Sequence, residues 1–113
     1  MTSATRQAVF ATLAVAGLLA TWYWNLQFMR ESGGTFSVAD FVRGGYANSA
    51  AASLSNDLLI GTLAFLAFSY AEARRLGMRH WWVFPVLTFG VAFACAFPLF
   101  LLLRERRLQA GGL

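Results

Sequence analysis

Three long apolar runs, separated by polar stretches, dominate the chain. They cover about residues 8–28, 50–71 and 81–103. A helix needs roughly 20 residues to cross a hydrocarbon core of about 30 Å. None of the runs carries the polar stripe of a helix in a soluble bundle, and none alternates as a barrel strand does. The pattern predicts an all-α integral membrane protein, a single domain over 1–113 with three transmembrane helices.

The start of the second helix follows from its length. Residues 58–71 alone would reach only about 21 Å, which is too short for the hydrocarbon core. Asn48 or Ser49 is a good N-cap, and a helix over 50–71 reaches about 33 Å. Asp57 then lies about 10 Å inside the helix, so its carboxyl is expected within the membrane.

The other helix boundaries carry similar signals. The first run ends in the aromatic segment 21–24, which is typical of a membrane boundary, so we interpret it as a retained helix rather than a cleaved signal. Between the first two spans, glycine pairs at 33–34 and 44–45 punctuate a polar connection. Residues 37–43 in this connection predict a short interfacial helix, with an ordered loop as the alternative.

Composition and charge agree with a membrane location. Of the residues, 58% are hydrophobic and 12% are charged, and the net charge is +4. All nine basic residues are arginines outside the predicted spans, where they are expected to contact lipid headgroups; we expect such contacts from Arg74, Arg79, Arg104, Arg106 and Arg107. Nucleic-acid binding is excluded, because no soluble basic domain is left. With three spans the arginines divide four against five, so the positive-inside rule gives no orientation.

Helical spacing predicts which way Asp57 points. Its face of the helix is shared by small residues, which let neighbouring helices approach closely, and by one aromatic: Ala50, Ser53, Gly61, Ala64, Phe68 and Ala71. Asp57 is therefore expected against protein, in a polar cluster with Thr21, Asn25 and Cys95. Three roles stay open for this carboxyl: a hydrogen bond that holds helices together, proton donation or relay, or a contact with headgroups.

Two further candidates lie near the predicted membrane boundary. Glu72 and Arg75 are three residues apart at the end of the second helix, which predicts an interfacial ion pair of small energetic value. His80 is the single histidine. A neighbouring pair of tryptophans favours an interfacial anchor over haem or pigment ligation.

The remaining residue types exclude most sites. Cys95 is the single cysteine, so neither an intrachain disulfide nor a cysteine metal cluster is possible. Pro98 removes a backbone hydrogen bond late in the third run and is expected to kink that helix near Ala94. No nucleophile–base pair, phosphate loop or metal motif is present, so we predict no cofactor and no metal.

Three segments carry a resemblance to a known family. They are YANSAAASLSNDLL, SYAEARRLGMRHWW and AFPLFLLLRERRL. These resemble the small bacterial membrane proteins grouped as domain of unknown function 2834, and the matching positions are Ala47, Asn48, Asp57, Leu58, Glu72, Arg75, Pro98 to Leu101, Arg104 and Glu105. The resemblance implies a three-helix, multi-pass protein of the bacterial inner membrane without an established activity.

Two classes of function are compatible with these residues. The first and preferred class is a non-catalytic helix-packing module, which binds other membrane helices as its own oligomer or as an accessory subunit of a larger complex. The alternative is an oligomeric enzyme or carrier for an apolar isoprenoid or lipid, with Asp57 as general acid. That alternative rests on chemical analogy alone.

Overall fold

The structure, a computed structural model, describes residues 1–110 and is all-helical over them. Five helices follow one another: α1 (Ser3–Glu31), α2 (Val38–Gly45), α3 (Ser49–Leu76), α4 (Val83–Gly90) and α5 (Phe93–Ala110). Two of these, α1 and α3, are long and apolar enough to cross a membrane. The all-α class is confirmed, whereas a third span is not.

Capping residues set the ends of α2 and α3. The side chain of Asn48 accepts a hydrogen bond from the Ala51 N–H at 2.8 Å, which satisfies a free amide of the first turn of α3. At the other end Gly77 adopts φ 71°, a left-handed conformation that glycine tolerates best. In the connection, Ser37 caps α2. Of the two alternatives for this connection, a short helix or an ordered loop, the structure contains the helix.

The third apolar run folds back on itself. The rings of Phe84 in α4 and Phe100 in α5 lie 5.1 Å apart, although a straight helix would separate these residues by about 24 Å along its axis. After α4 the N–H groups of Val91 and Ala92 both donate to the carbonyl of Leu87, at 2.9 and 2.8 Å. The chain then reverses, so α4 and α5 form an antiparallel helical hairpin.

This hairpin corrects the expectation of one continuous helix over 81–103 with a kink near Ala94. The break lies at residues 91–92, and Pro98 sits within α5 instead of at the break. The physical reason is that an apolar run long enough to span a membrane also suffices for two shorter helices packed on each other. Hydrophobicity alone does not distinguish the two arrangements.

Helix α5 runs parallel to α3 and shares the aromatic core with it. Phe65 of α3 stacks on Phe97 with ring centroids 4.7 Å apart, and further along both helices Glu72 of α3 binds Arg104. The core also includes α4 and consists mainly of rings and small residues: Phe65, Ala73, Phe84, Ala96 and Phe100. The indole N–H of Trp81 donates to the Ser69 hydroxyl at 2.8 Å, which fixes the entry into α4.

Helix α1 lies on the opposite side of α5 and runs antiparallel to it. Arg6 near its start binds Glu105, and Trp22, about 24 Å further along, binds the Val91 carbonyl. No extensive contact joins α1 to α3 within residues 1–110, because α5 lies between them. The start of α1 and the ends of α3 and α5 consequently meet at one end of the bundle.

Candidate functional site

The end of the bundle where these three helices meet concentrates the charged residues. We call it the arginine-rich end, and it comprises the start of α1, the ends of α3 and α5 and the loop over 77–82. Seven of the nine arginines lie there: Arg6, Arg74, Arg75, Arg79, Arg104, Arg106 and Arg107. Arg30, at the end of α1, and Arg43, in α2, lie at the other end.

Glu105 is the buried acid of the arginine-rich end. Its side chain is only 6% exposed, and one carboxylate oxygen accepts hydrogen bonds from Nε and Nη2 of Arg6 at 2.9 and 2.7 Å. Those bonds, together with one from Ser3, lower the pKa of Glu105 from its ordinary value of 4.5, against the effect of burial. A buried carboxylate with a charge-assisted partner thus ties the start of α1 to the end of α5.

Glu72 forms a second ion-pair cluster at the arginine-rich end. Its two carboxylate oxygens accept hydrogen bonds from Nε and Nη2 of Arg75 at 2.6 and 3.0 Å. The Nε of Arg104 on α5 donates to the same carboxylate. The pair between Glu72 and Arg75 is therefore present, and it also joins α3 to α5.

The turn after α3 is held by a third contact. The Nε of Arg107 donates to the carbonyl of Leu76 at 2.7 Å, one of the carbonyls that a helix end leaves free. A Cβ on Gly77 would lie 3.1 Å from Nη2 of Arg107. The positive φ is what favours glycine at residue 77; a Cβ there would also require the Arg107 guanidinium to shift by a few tenths of an ångström.

Two backbone carbonyls near the hairpin turn are the points where α1 approaches most closely. The Val91 carbonyl, left free by the chain reversal, accepts a hydrogen bond from the Trp22 indole at 2.8 Å. Gly17 lies against Ala94, whose carbonyl has no helical N–H donor because residue 98 is proline. The Trp22 side chain covers the Val91 carbonyl and the backbone at Gly17 covers the Ala94 carbonyl, two groups that would otherwise be left free in the apolar hairpin.

The structure does not bring Thr21, Asn25, Asp57 and Cys95 together within the single chain. Thr21 donates to the carbonyl of Gly17 on its own helix at 2.7 Å. Cys95 is buried on α5, whereas Asp57 is exposed on α3. The cluster is absent from the described residues because it required α1 beside α3, and α5 separates them.

Cavities give no support to a site at Asp57. One cavity of about 280 Å³ lies on the outer surface of α1 and is lined by Thr5, Ala8, Val9, Thr12 and Leu13. Another, of about 210 Å³, lies beside the hairpin and includes His80. Neither includes Asp57. Within residues 1–110 no group of three His, Cys, Asp or Glu side chains could hold a metal ion.

Sequence reasoning missed the pair between Arg6 and Glu105. The two residues are 99 positions apart, and an isolated arginine before an apolar run gives no indication of its partner. Glu105 carried a usable signal, since it is an acid between three arginines at the end of an apolar helix. Such a residue is expected to be bound by at least one of the surrounding cations.

Comparison with known proteins agrees with the sequence motifs. No curated protein and no solved structure matches the chain. The family described as "Protein of unknown function DUF2834" matches residues 9–106, which include most of α1, all of α3 and α4, most of α5, and both Glu72 and Glu105. The chain therefore belongs to the DUF2834 family.

Proposed function

We propose that this protein is a multi-pass component of the bacterial inner membrane that works as a non-catalytic helix-packing module and assembles with copies of itself. One observation carries the proposal: the face of α3 that holds Asp57 is bare in the single chain. The members of that face, apart from the partly covered Gly61, are exposed: Ala50, Ser53, Asp57, Ala64, Phe68 and Ala71.

The depth of Asp57 makes its exposure costly. It lies fifteen residues before Glu72, or about 22 Å from the arginine-rich end, inside a hydrocarbon core of about 30 Å. An aspartate that meets nothing polar costs about 2.5–3.5 kcal/mol at the centre of a membrane helix, and less at the off-centre depth of Asp57. A second protein surface with hydrogen-bonding groups would remove most of that cost, and lipid tails would not.

A second copy supplies suitable chemistry for this contact. Small residues on both copies of α3 would let the two helices approach closely, and two aspartates that share a proton, or an aspartate with the neighbouring Ser53, would satisfy each other. A symmetric contact of this kind uses the same face twice. The residues therefore support a homo-oligomer, with other membrane subunits as an alternative occupant of the same face.

The charge distribution supports an orientation as well. Because the hairpin returns to the end at which it starts, that end carries seven arginines and the other end carries two. Lys and Arg accumulate on the cytoplasmic side of bacterial inner-membrane proteins. We therefore assign the arginine-rich end to the cytoplasm and α2 to the opposite surface.

Bulky substitution on α3 tests the assembly. Gly61→Leu fills the proposed interface, and a Cβ at Gly61 meets nothing within 4 Å of the single chain, so folding is expected to survive. Ala67→Leu is the matched control, because it is exposed and lies about 120° around the helix from Gly61. Native mass spectrometry of the detergent-extracted protein should show oligomers for wild type and Ala67→Leu, and mainly single chains for Gly61→Leu.

Substitution of the carboxyl tests its role within the contact. Asp57→Asn keeps hydrogen-bonding groups and should keep the oligomer, whereas Asp57→Leu should weaken it. The proposal is wrong if wild type consists of single chains. It is also wrong if Gly61→Leu and Asp57→Leu both still form oligomers, since this face is then not the interface. If the chain is instead found in a complex with a different protein, the homo-oligomer is refuted and the chain is an accessory subunit of that complex.

A further inference from the structure

We infer that the arginine-rich end holds a site for one anionic phospholipid, with an acyl chain in a slot beside the helical hairpin and the phosphate at two arginines above it. The inference rests on the membrane location and orientation given under the proposed function. It goes beyond general headgroup contacts because it names one site, its lining and the chemical class of its ligand.

The slot itself is apolar and opens towards the surface. Its volume is about 210 Å³, and it is lined by Met78, His80, Val83, Phe84, Leu99 and Leu103. A water molecule's share of liquid volume is about 30 Å³, so the slot corresponds to roughly seven water volumes. That is the size of an acyl-chain segment, and five of the six lining side chains are apolar. His80 is the polar member and belongs to the loop at the arginine-rich end.

The arginines of this end divide into bound and free ones. Arg6 is taken by Glu105, Arg75 and Arg104 by Glu72, Arg107 by the Leu76 carbonyl, and Arg74 by the Tyr70 hydroxyl. Within residues 1–110, Arg79 and Arg106 form neither an ion pair nor a hydrogen bond, and both are exposed. Their guanidinium groups are therefore available for a ligand.

Both free arginines adjoin residues that line the slot, one along the sequence and one along a helix face. Arg79 lies between Met78 and His80, two of the lining residues. Arg106 follows Leu99 and Leu103 at intervals of four and three residues, which places all three on one face of α5. An apolar slot within the membrane thus continues into two unpaired cations at its boundary. Guanidinium groups bind phosphate oxygens well, and the combined chemistry is that of an anionic phospholipid.

Lipid selectivity in native mass spectra tests the site. The purified full chain is exposed to an equal mixture of phosphatidylglycerol and phosphatidylethanolamine, and the bound lipids are compared. The wild-type protein should retain more phosphatidylglycerol than phosphatidylethanolamine. Arg79→Gln with Arg106→Gln should lower that preference by about fivefold for each arginine and roughly 25-fold together. The matched control is Arg30→Gln with Arg43→Gln, which removes the same charge at the other end and should leave the preference unchanged.

A separate variant tests the slot. Leu103→Trp fills it while both arginines stay in place, so bound phosphatidylglycerol should fall although helical content by circular dichroism is unchanged. An excess of inorganic phosphate should not displace the lipid. An equal loss of lipid preference in both double variants would mean that overall charge, and not this site, sets the preference. Displacement of the lipid by phosphate would mean that the site binds phosphate alone. Unchanged lipid binding by Leu103→Trp would mean that the slot does not hold an acyl chain. Each of these outcomes overturns the inference.

The proposed function fails differently. Lipid retention is scored on whichever assembly is present, so single chains with selective lipid binding would refute the homo-oligomer and leave the lipid site intact. Oligomers without any preference for phosphatidylglycerol would refute the lipid site alone.

Discussion

Replacement of Gly17 by alanine should weaken the packing of α1 on α5. A Cβ at this position would lie 2.2 Å from the carbonyl oxygen of Ala94 and 2.5 Å from its carbonyl carbon. Favourable contacts between carbon atoms begin at about 3.5 Å, so α1 would have to move by roughly 1 Å. The obstructing atoms belong to the backbone of α5, and no rotamer change relieves the clash.

Three terms set the size of the effect. Overpacking of this kind costs about 1–3 kcal/mol. Trp22 lies little more than one turn further along α1, so the same displacement would stretch its 2.8 Å hydrogen bond to Val91, and the loss of such a bond costs about 0.5–1.5 kcal/mol. Removal of a helical glycine gives back about 1 kcal/mol. The expected net loss of stability is about 0.5–3.5 kcal/mol.

Equilibrium unfolding in detergent micelles, followed by circular dichroism, measures this loss. The matched control is Gly44→Ala in α2, where a Cβ would meet nothing within 4 Å. This control should be as stable as wild type or more stable by about 0.5–1 kcal/mol, because alanine is the better helix former. If Gly17→Ala unfolds at the same point as Gly44→Ala, the close approach of α1 to the hairpin does not exist in solution.

Three more predictions concern the same contacts and the orientation. Trp22→Phe keeps an aromatic ring but loses the indole N–H that donates to Val91, so it should cost about 0.5–1.5 kcal/mol in the same unfolding assay; no loss would mean that water or lipid satisfies this carbonyl. Glu105→Gln should destabilise the protein at neutral pH. Because the pKa of Glu105 is lowered on folding, its contribution is present above 4.5 and disappears as the pH falls through the folded-state value; unfolding measured across this pH range should therefore show a decline in wild type that Glu105→Gln lacks. A phosphatase that is active only in the periplasm should be inactive when fused after α5 and active when inserted in the connection before α2, and the reverse pattern would refute the assigned orientation.

The Asp57 face shows what helical periodicity can and cannot predict. Spacing grouped the small residues of α3 on one face, and the helix in the structure keeps them together. The inward face of the single chain is another one, about 120° away, which carries Phe65, Ser69 and Ala73. In water the apolar side of a helix identifies the core. In a membrane both sides are apolar, so the preference is set by shape and by the partner available.

The hairpin was beyond prediction for a related reason. Its turn carries no run of polar residues, and residues 91–92 are valine and alanine. What stabilises the reversal is tertiary: the contact of Phe84 with Phe100 and the Trp22 indole on the freed Val91 carbonyl. By contrast, the start of α3 was predicted because Asn48 acts locally, through one backbone amide. The end was not: the helix continues beyond residue 71 to Leu76, where Gly77 stops it through its backbone angle.

The attachment of α1 depends on polar contacts and close backbone approach more than on buried area. Only Ala14 is buried along its 29 residues, and in the proposed membrane location lipid tails would solvate its other side chains as well as protein does. The contacts of Arg6 with Glu105, Gly17 with Ala94 and Trp22 with Val91 lie at three points between the hairpin turn and the end of α5. A shift of α1 by one turn, about 5.4 Å, would break all three at once while apolar burial would hardly change. These contacts therefore fix the register of α1, and through the hairpin they keep the arginine-rich end together.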